Sequence, residues 1–245
     1  MREEAEINDY VEKATKLMFY RGCTFWLSPS VMEPKYESFF FVENIKVNNN
    51  QRILDLGTGT GFLAILLAPS AKEVVATDVN PKAASCARTN VFLNNMNDKI
   101  TVLEGDLFEP VKGNKFDLIV TNPPQMPTPE CKKRNWDSQS LADDGGPDGR
   151  IIVDHILRDV NDYLEYGGRF FMIHMGTIEL KKTIDMLEEA GLKTRIEAEI
   201  KCPLGKLTFE RKEYIEKMGL KFELEGTTVP YQRLSVVSAV KLRRD

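Results

Sequence analysis

The feature that most constrains this chain is the run Asp55-Leu56-Gly57-Thr58-Gly59-Thr60-Gly61, set between two apolar stretches of different periodicity. Arg52-Ile53-Leu54-Asp55-Leu56 before it reads as a strand, and Phe62 to Leu67 after it reads as a helix. Glycines in a strand-to-helix turn permit a tight reversal and let a ligand lie against bare backbone. The helix start beyond offers N–H groups and a partial positive charge, which suit a carboxylate or a phosphate. The spacing is G-x-G-x-G, whereas the dinucleotide fingerprint is G-x-G-x-x-G. Asp55 stands two positions before the first glycine. A carboxylate there repels a pyrophosphate and tolerates or attracts an ammonium and a sulfonium.

The pattern around this turn is that of an alternating α/β chain. Residues 73–77 form a second strand, and Pro81 opens a helix to about Asn94, at a position where its missing N–H costs nothing. Strands follow at 100–103 and 116–121, a long polar loop at 126–149, a helix at 150–163, a strand at 169–175, a helix at 177–190 and a strand at 192–200. Such alternation predicts a parallel sheet covered on both faces. The ends differ. Residues 3–21 carry Ile7, Tyr10, Val11, Ala14, Leu17 and Met18 at helical spacing. Residues 36–45 predict a short helix, 207–218 another, and 221–225 and 235–242 two strands.

Two further acidic residues follow predicted strands. Asp78 ends the second, where a carboxylate can accept both hydroxyls of a ribose. Asn80, just before Pro81, is the better placed helix N-cap. Asp106 follows the third strand, where a carboxylate can accept from an adenine amino group while the Leu107 N–H donates to the ring. Three acids after three successive strands share the carboxyl edge, at which open α/β sheets bind ligands. Ile53 to Gly61, then Asp78, then Asp106, resemble motifs I to III of the class I S-adenosylmethionine (SAM) dependent methyltransferases. The resemblance implies a Rossmann-like, seven-stranded, mostly parallel sheet with the last strand antiparallel. It also implies a SAM site at Asp55, Gly57, Thr58, Gly59, Gly61, Asp78, Val79, Asp106, Leu107 and Asn122.

Asn122-Pro123-Pro124-Gln125 follows the fourth strand. Two prolines remove two N–H donors and fix φ, and the residue before a proline is pushed towards an extended conformation. The stiff turn leaves carbonyl acceptors exposed. The Asn122 side-chain oxygen and the Pro123 carbonyl can each take a hydrogen from an NH₂ group, which favours a localised nitrogen lone pair and aims it. No metal and no strong base are called for. The tetrapeptide resembles the N/D-P-P-Y/F motif of amino-group methyltransferases, so the resemblance makes Asn122, Pro123, Pro124 and Gln125 the catalytic group. Asp144-Gly145-Gly146-Pro147-Asp148-Gly149-Arg150 resembles the D-G-G-x-D-G segment of the HemK-like branch, which methylates glutamine in peptide-chain release factors. The departure is Gln125, where the family usually has an aromatic that stacks on a planar target.

Composition bounds the rest. A net charge of −4 argues against broad coating of a nucleic-acid backbone. Two short basic runs, Lys132-Lys133-Arg134 and Lys241 with Arg243 and Arg244, read as a solvated loop and a solvated tail. Cys23, Cys86, Cys131 and Cys202 form no CxxC pair, which argues against structural zinc and a disulfide framework and fits a cytoplasmic protein. No signal peptide opens the sequence and no apolar run is long enough for a bilayer. Residues 1–45 read as a helix and a segment covering the cofactor pocket, with Ser28, Pro29 and Ser30 in its wall. Residues 46–245 read as the methyltransferase domain, with a substrate-shaping insertion at 201–232 and Trp136 in the loop after the reactive turn. The expected function is methyl transfer from SAM to an amide or amino nitrogen of a protein acceptor. The alternatives are an RNA base methyltransferase, a small-molecule methyltransferase, a non-catalytic SAM-binding subunit and, more distantly, a dinucleotide oxidoreductase.

Overall fold

The structure, a computed structural model, describes residues 16–129, 142–224 and 230–243. β3 (Gln51–Leu56), β4 (Ala71–Asp78), β5 (Ile100–Glu104), β6 (Phe116–Thr121), β7 (Leu164–Met175), β8 (Leu192–Pro203) and β9 (Tyr231–Lys241) form one sheet in the order β5-β4-β3-β6-β7-β9-β8. The first five strands in that order are parallel, and β9 runs antiparallel to both β7 and β8. This is the seven-stranded Rossmann-like sheet that the sequence implies. The order reverses at β3 and β6, so the crevice above their carboxyl ends is the place for a ligand.

The central strands are apolar without alternation because both faces are covered. Ile53, Leu118, Phe171 and Val236 join one buried cluster, with Phe41 of α1 (Tyr36–Glu43) and Phe62 and Ile65 of α2 (Phe62–Leu67). Their strand neighbours Leu54, Ile119, Phe170 and Val237 join the opposite cluster. That face is closed by Val153 and Ile156 of α4 (Ile151–Tyr163) and Leu187 of α5 (Leu180–Glu189). Between them in sequence, α3 (Pro81–Leu93) starts at Asn80, whose side chain accepts from the Lys82 N–H at 3.0 Å.

The amino-terminal reading is corrected. Lys16–Tyr20 is strand β1, not the end of a helix, and it pairs antiparallel with β2 (Cys23–Leu27). Arg21 and Gly22 turn the hairpin with φ of 47° and 78°, the left-handed pair that a two-residue turn needs. Ile7, Tyr10, Val11 and Ala14 lie outside the described residues. Near the other end, the helix expected at 207–218 is two short pieces, α6 (Lys206–Glu210) and α7 (Lys212–Lys217). The strand expected at 221–225 reduces, among its described residues, to one bridge between Glu223 and Tyr231. β7 begins at Leu164, earlier than expected, and includes the Gly167 turn residue with φ of 80°. Among the described residues no helix is long and apolar enough to cross a membrane.

The hairpin is fastened to α3 by side chains rather than by another strand. Asn94 accepts from the Thr24 N–H at 2.9 Å and donates to the Thr24 carbonyl at 2.7 Å. Asn90, one helical turn earlier, does the same for Trp26. Two amides at i and i+4 therefore take the place of a neighbouring backbone along β2, and they satisfy an edge that would otherwise be buried unpaired.

Candidate active site

A cavity opens at the carboxyl edge of the sheet, above the reversal of strand order. Its wall takes Leu56 to Thr60 after β3, Thr77 to Asn80 at the end of β4, Gly105 to Leu107 after β5 and Thr121 to Met126 after β6. Ser30 to Pro34 and Ala142 to Asp144 close the remaining sides, and Ser28 and Pro29 stand outside the wall. Of the expected cofactor residues, Gly57, Thr58, Gly59, Asp78, Val79, Asp106, Leu107 and Asn122 are brought together there.

Asp55 and Gly61 are not in that wall. Asp55 is buried behind the glycine turn, where its Oδ2 accepts from the Thr58 hydroxyl at 2.6 Å and the Ala64 N–H at 3.1 Å. It organises the loop and the first turn of α2. Its carboxyl is pushed up to about 7, chiefly by burial, against the lowering effect of those two bonds. Gly61 has φ of 81° and a Cβ there would meet Ala87 at 3.4 Å, so it serves the packing of α2 on α3. Gly57 and Gly59 share the positive φ but differ in surroundings: a Cβ on either would enter open space beside the cavity. They form a backbone cradle that a side chain would fill.

Asp78 links cradle and sheet. Its Oδ2 accepts from the Gly59 N–H at 2.8 Å and its Oδ1 from the Asn80 N–H at 2.9 Å. One N–H on each oxygen leaves lone pairs for two hydroxyls. Burial pushes its carboxyl up, and the same two N–H bonds pull it down. Beside it, the Thr77 hydroxyl is buried with no hydrogen-bond partner among the described residues. Asp78, the glycine cradle and this unused hydroxyl fit a ribose and its attached amino-acid chain.

The Asn122-Pro123-Pro124-Gln125 turn forms the neighbouring wall. Asn122 Nδ2 lies 3.5 Å from Ser38 Oγ, and no donor among the described residues bonds Asn122 Oδ1. Gln125 is 2% exposed and its amide is committed inside the protein. Nε2 donates to the carbonyls of Pro123 (3.2 Å) and Ile173 (2.8 Å), and Oε1 accepts from the Met175 N–H at 3.0 Å. Thr177 Oγ1 donates to the Gln125 carbonyl at 3.1 Å.

The glycine-rich segment 144–150 explains itself at this point. Met126 donates its N–H to Asp143 O, and Gly145 donates to Met126 O. The segment thus folds back along the reactive turn. A Cβ on Gly149 would meet Gln125 O at 2.6 Å, and Gly149 and Gly146 have φ of 75° and 85°. The glycines are there for contact with the turn as well as for bending.

Sequence reasoning did not single out Glu37 and Asp143, which also face the cavity. Burial raises both carboxyls; nearby Lys35 opposes the shift of each, and Arg211 also opposes that of Asp143. Neither residue belongs to a motif, and the two are brought together only by the fold. The segment after β8 reaches the same region. Arg211 donates to Pro127 O at 3.1 Å and Thr128 Oγ1 at 2.8 Å, and Tyr214 donates to Pro147 O at 2.9 Å. Trp136, Lys132, Lys133, Arg134, Cys131 and Arg244 lie outside the described residues.

The fold and this cavity define a class I methyltransferase. The methyltransferase small domain family matches residues 32–134. A candidate protein N5-glutamine methyltransferase of Methanocaldococcus jannaschii is 39% identical over 188 residues, which cover 76% of this chain and 93% of that protein. A release factor glutamine methyltransferase of Geobacter sulfurreducens is 32% identical over 69% of this chain and 62% of its own length. Among solved structures, the tRNA m1G37 methyltransferase of M. jannaschii superposes with a TM-score of 0.64 at 15% identity, over 95% of this chain and 58% of that one; that likeness is one of fold alone. The chain belongs to the HemK-like family of SAM-dependent methyltransferases.

Proposed function

We propose that the protein transfers the methyl group of SAM to the side-chain amide nitrogen of a glutamine in a protein acceptor. The observation that carries this reading is that one cavity holds both the Gly57–Asp78 cradle and the Asn122-Pro123 turn. Gly57, Thr58, Gly59, Asp78, Val79, Asp106 and Leu107 would hold SAM, with Asp55 fixing the loop from behind. SAM supplies an electrophilic methyl on a sulfonium.

The chain's own part is positioning and polarisation. An amide nitrogen is a weak nucleophile because its lone pair is delocalised. Asn122 Oδ1, which has no donor among the described residues, accepts one N–H of the acceptor, and the Pro123 carbonyl accepts the other. Both bonds favour a lone pair localised on nitrogen and fix its direction. The names of the relatives support a glutamine acceptor. The wall also favours it over a nucleobase. Among its described residues Phe62 is the sole aromatic ring, and Phe62 is 3% exposed and packed on Phe25 and Phe39. A stacking platform for a planar base would have to come from elsewhere.

The test is labelled-methyl transfer from SAM to glutamine-containing peptides and to intact release factors, with calorimetric titration of SAM beside it. Asn122→Ala is expected to bind SAM within about twofold of the parent and to lose at least 100-fold in kcat, the scale of removing one positioned polar group. Turnover equal to the parent would remove Asn122 from the mechanism.

A further inference from the structure

The resemblance groups Gln125 with the catalytic residues of the reactive turn, yet an aromatic is usual at that position and the part an amide plays there is left open. From the hydrogen bonds of its amide we infer that Gln125 is a positioning residue that holds the Pro123 carbonyl in register with the acceptor, an inference that rests on the proposed amide transfer.

The orientation of this amide is fixed by its partners. Nε2 faces two carbonyl oxygens, Pro123 O at 3.2 Å and Ile173 O at 2.8 Å, and Oε1 faces the Met175 N–H at 3.0 Å. The reversed amide would set its oxygen against both carbonyls and its NH₂ against an N–H, so one arrangement satisfies all three. Gln125 therefore bridges the reactive turn and the end of β7. The bridge is stiff: the side chain is 2% exposed, its backbone carbonyl is held by Thr177 Oγ1, and Gly149 leaves no slack behind it.

The consequence falls on the Pro123 oxygen. A carbonyl oxygen accepts two hydrogen bonds, and Gln125 takes one. A single lone pair is left for the acceptor, with its direction set from the sheet. An aromatic at this position has no NH₂ with which to make that bond. It would instead offer a ring to the acceptor. In this chain the same backbone turn is held from below by an amide, and the acceptor side is left without a ring from this position. With its amide committed to Pro123, Ile173 and Met175, Gln125 acts through Pro123.

Two substitutions test this in the full chain. Gln125→Met keeps length and removes all three polar contacts. Gln125→Glu keeps the acceptor for Met175 and turns the donor into a group that donates only when protonated. Activity is read with SAM and a glutamine-containing peptide, and SAM affinity and thermal midpoint are measured for each protein. Gln125→Met is expected to lower kcat at least tenfold with SAM Kd within twofold. Gln125→Glu is expected to show a new descending limb in kcat as pH rises, because the ionised carboxylate repels the Pro123 and Ile173 oxygens, while SAM Kd stays flat over the same range. A purely structural role would move SAM Kd and thermal midpoint together with kcat and add no separate limb. Proton exchange of the Gln125 side-chain amide, assigned by its loss in Gln125→Met, supplies a readout that needs no acceptor. Exchange slowed at least tenfold against free glutamine is expected. Should the parent leave every glutamine peptide unmethylated, the proposed acceptor falls, and the amide exchange still decides whether Gln125 holds the turn. Solvent-rate exchange, or kcat in Gln125→Met equal to the parent, overturns the inference.

Discussion

The side chain of Asn90 grips the backbone of Trp26 from both sides: Oδ1 accepts the Trp26 N–H at 2.6 Å, and Nδ2 donates to the Trp26 carbonyl at 3.0 Å. The same Nδ2 donates to Thr60 O in the glycine turn at 2.8 Å. One buried amide thus ties the amino-terminal hairpin, α3 and the cofactor loop together. Asn90→Ala leaves these groups unpaired and is expected to cost about 2–4 kcal/mol. It is also expected to weaken SAM binding at least fivefold, since Thr60 loses its anchor. Asn94→Ala, which lacks a bond to the loop, is expected to lower the thermal midpoint with little effect on SAM. Thermal unfolding and calorimetry on the two variants separate these outcomes.

The cradle makes a sharper claim about the cofactor. Gly59 has φ of 57°, its N–H is held by Asp78, and open space lies where a Cβ would be. Gly59→Ala is expected to cost about 1–2 kcal/mol in stability, from the left-handed backbone alone, and far more in SAM affinity. Asp78→Ala is expected to reduce SAM affinity at least 30-fold with the fold intact. Titration of both variants with SAM is the check, and unchanged affinity for Asp78→Ala would displace the site from this edge of the sheet.

Two buried titratable groups set opposite pH limbs on stability. Asp55 is raised from 3.8 to about 7 by burial, so the folded chain holds its proton more tightly than the unfolded chain. Its contribution is full below about pH 4 and is lost as pH rises through about 7. His174 is lowered from 6.5 to about 3, first by burial and then by the nearby Arg150. Its contribution is full above about pH 6.5 and is lost as pH falls towards 3. Asp55→Asn is expected to flatten the decline in thermal midpoint between pH 4 and 7. His174→Gln is expected to flatten the decline between pH 6.5 and 3. Midpoints measured across that range check both signs.

Arg211 braces the segment that follows the reactive turn, through Pro127 O and Thr128 Oγ1. It binds neither the cradle nor Asp78. Arg211→Ala is expected to raise KM for the protein acceptor at least fivefold and to leave SAM affinity within twofold. Steady-state kinetics with each substrate varied in turn distinguishes this from general loosening.

Most of the sheet and most of the cavity wall are legible in the sequence, because buried parallel strands read as apolar runs and each ends in a short polar signal. The hairpin is not. Leu17 and Met18 fit helical spacing, yet Arg21-Gly22 between two apolar runs is a turn signal that outranks it. Asp55 shows a different failure. Its position two residues before Gly57 marks a binding loop, but sequence does not distinguish a carboxylate that touches the ligand from one that shapes the loop behind it. The direction of the Gln125 amide, and the meeting of Glu37 with Asp143, depend on contacts across the fold that no local pattern carries.

The place of β9 bears on how the molecule comes to exist. It follows every other described strand in sequence, yet it lies between β7 and β8, and β8 has no other neighbour in the sheet. A nascent chain that has emerged only through residue 224 holds the glycine cradle but leaves β8 unattached and one side of β7 bare. Met175, whose N–H donates to the Gln125 side-chain oxygen, pairs with Leu234. The support beneath the reactive turn is therefore completed only when translation has passed that residue, well after the residues of the glycine cradle have been made.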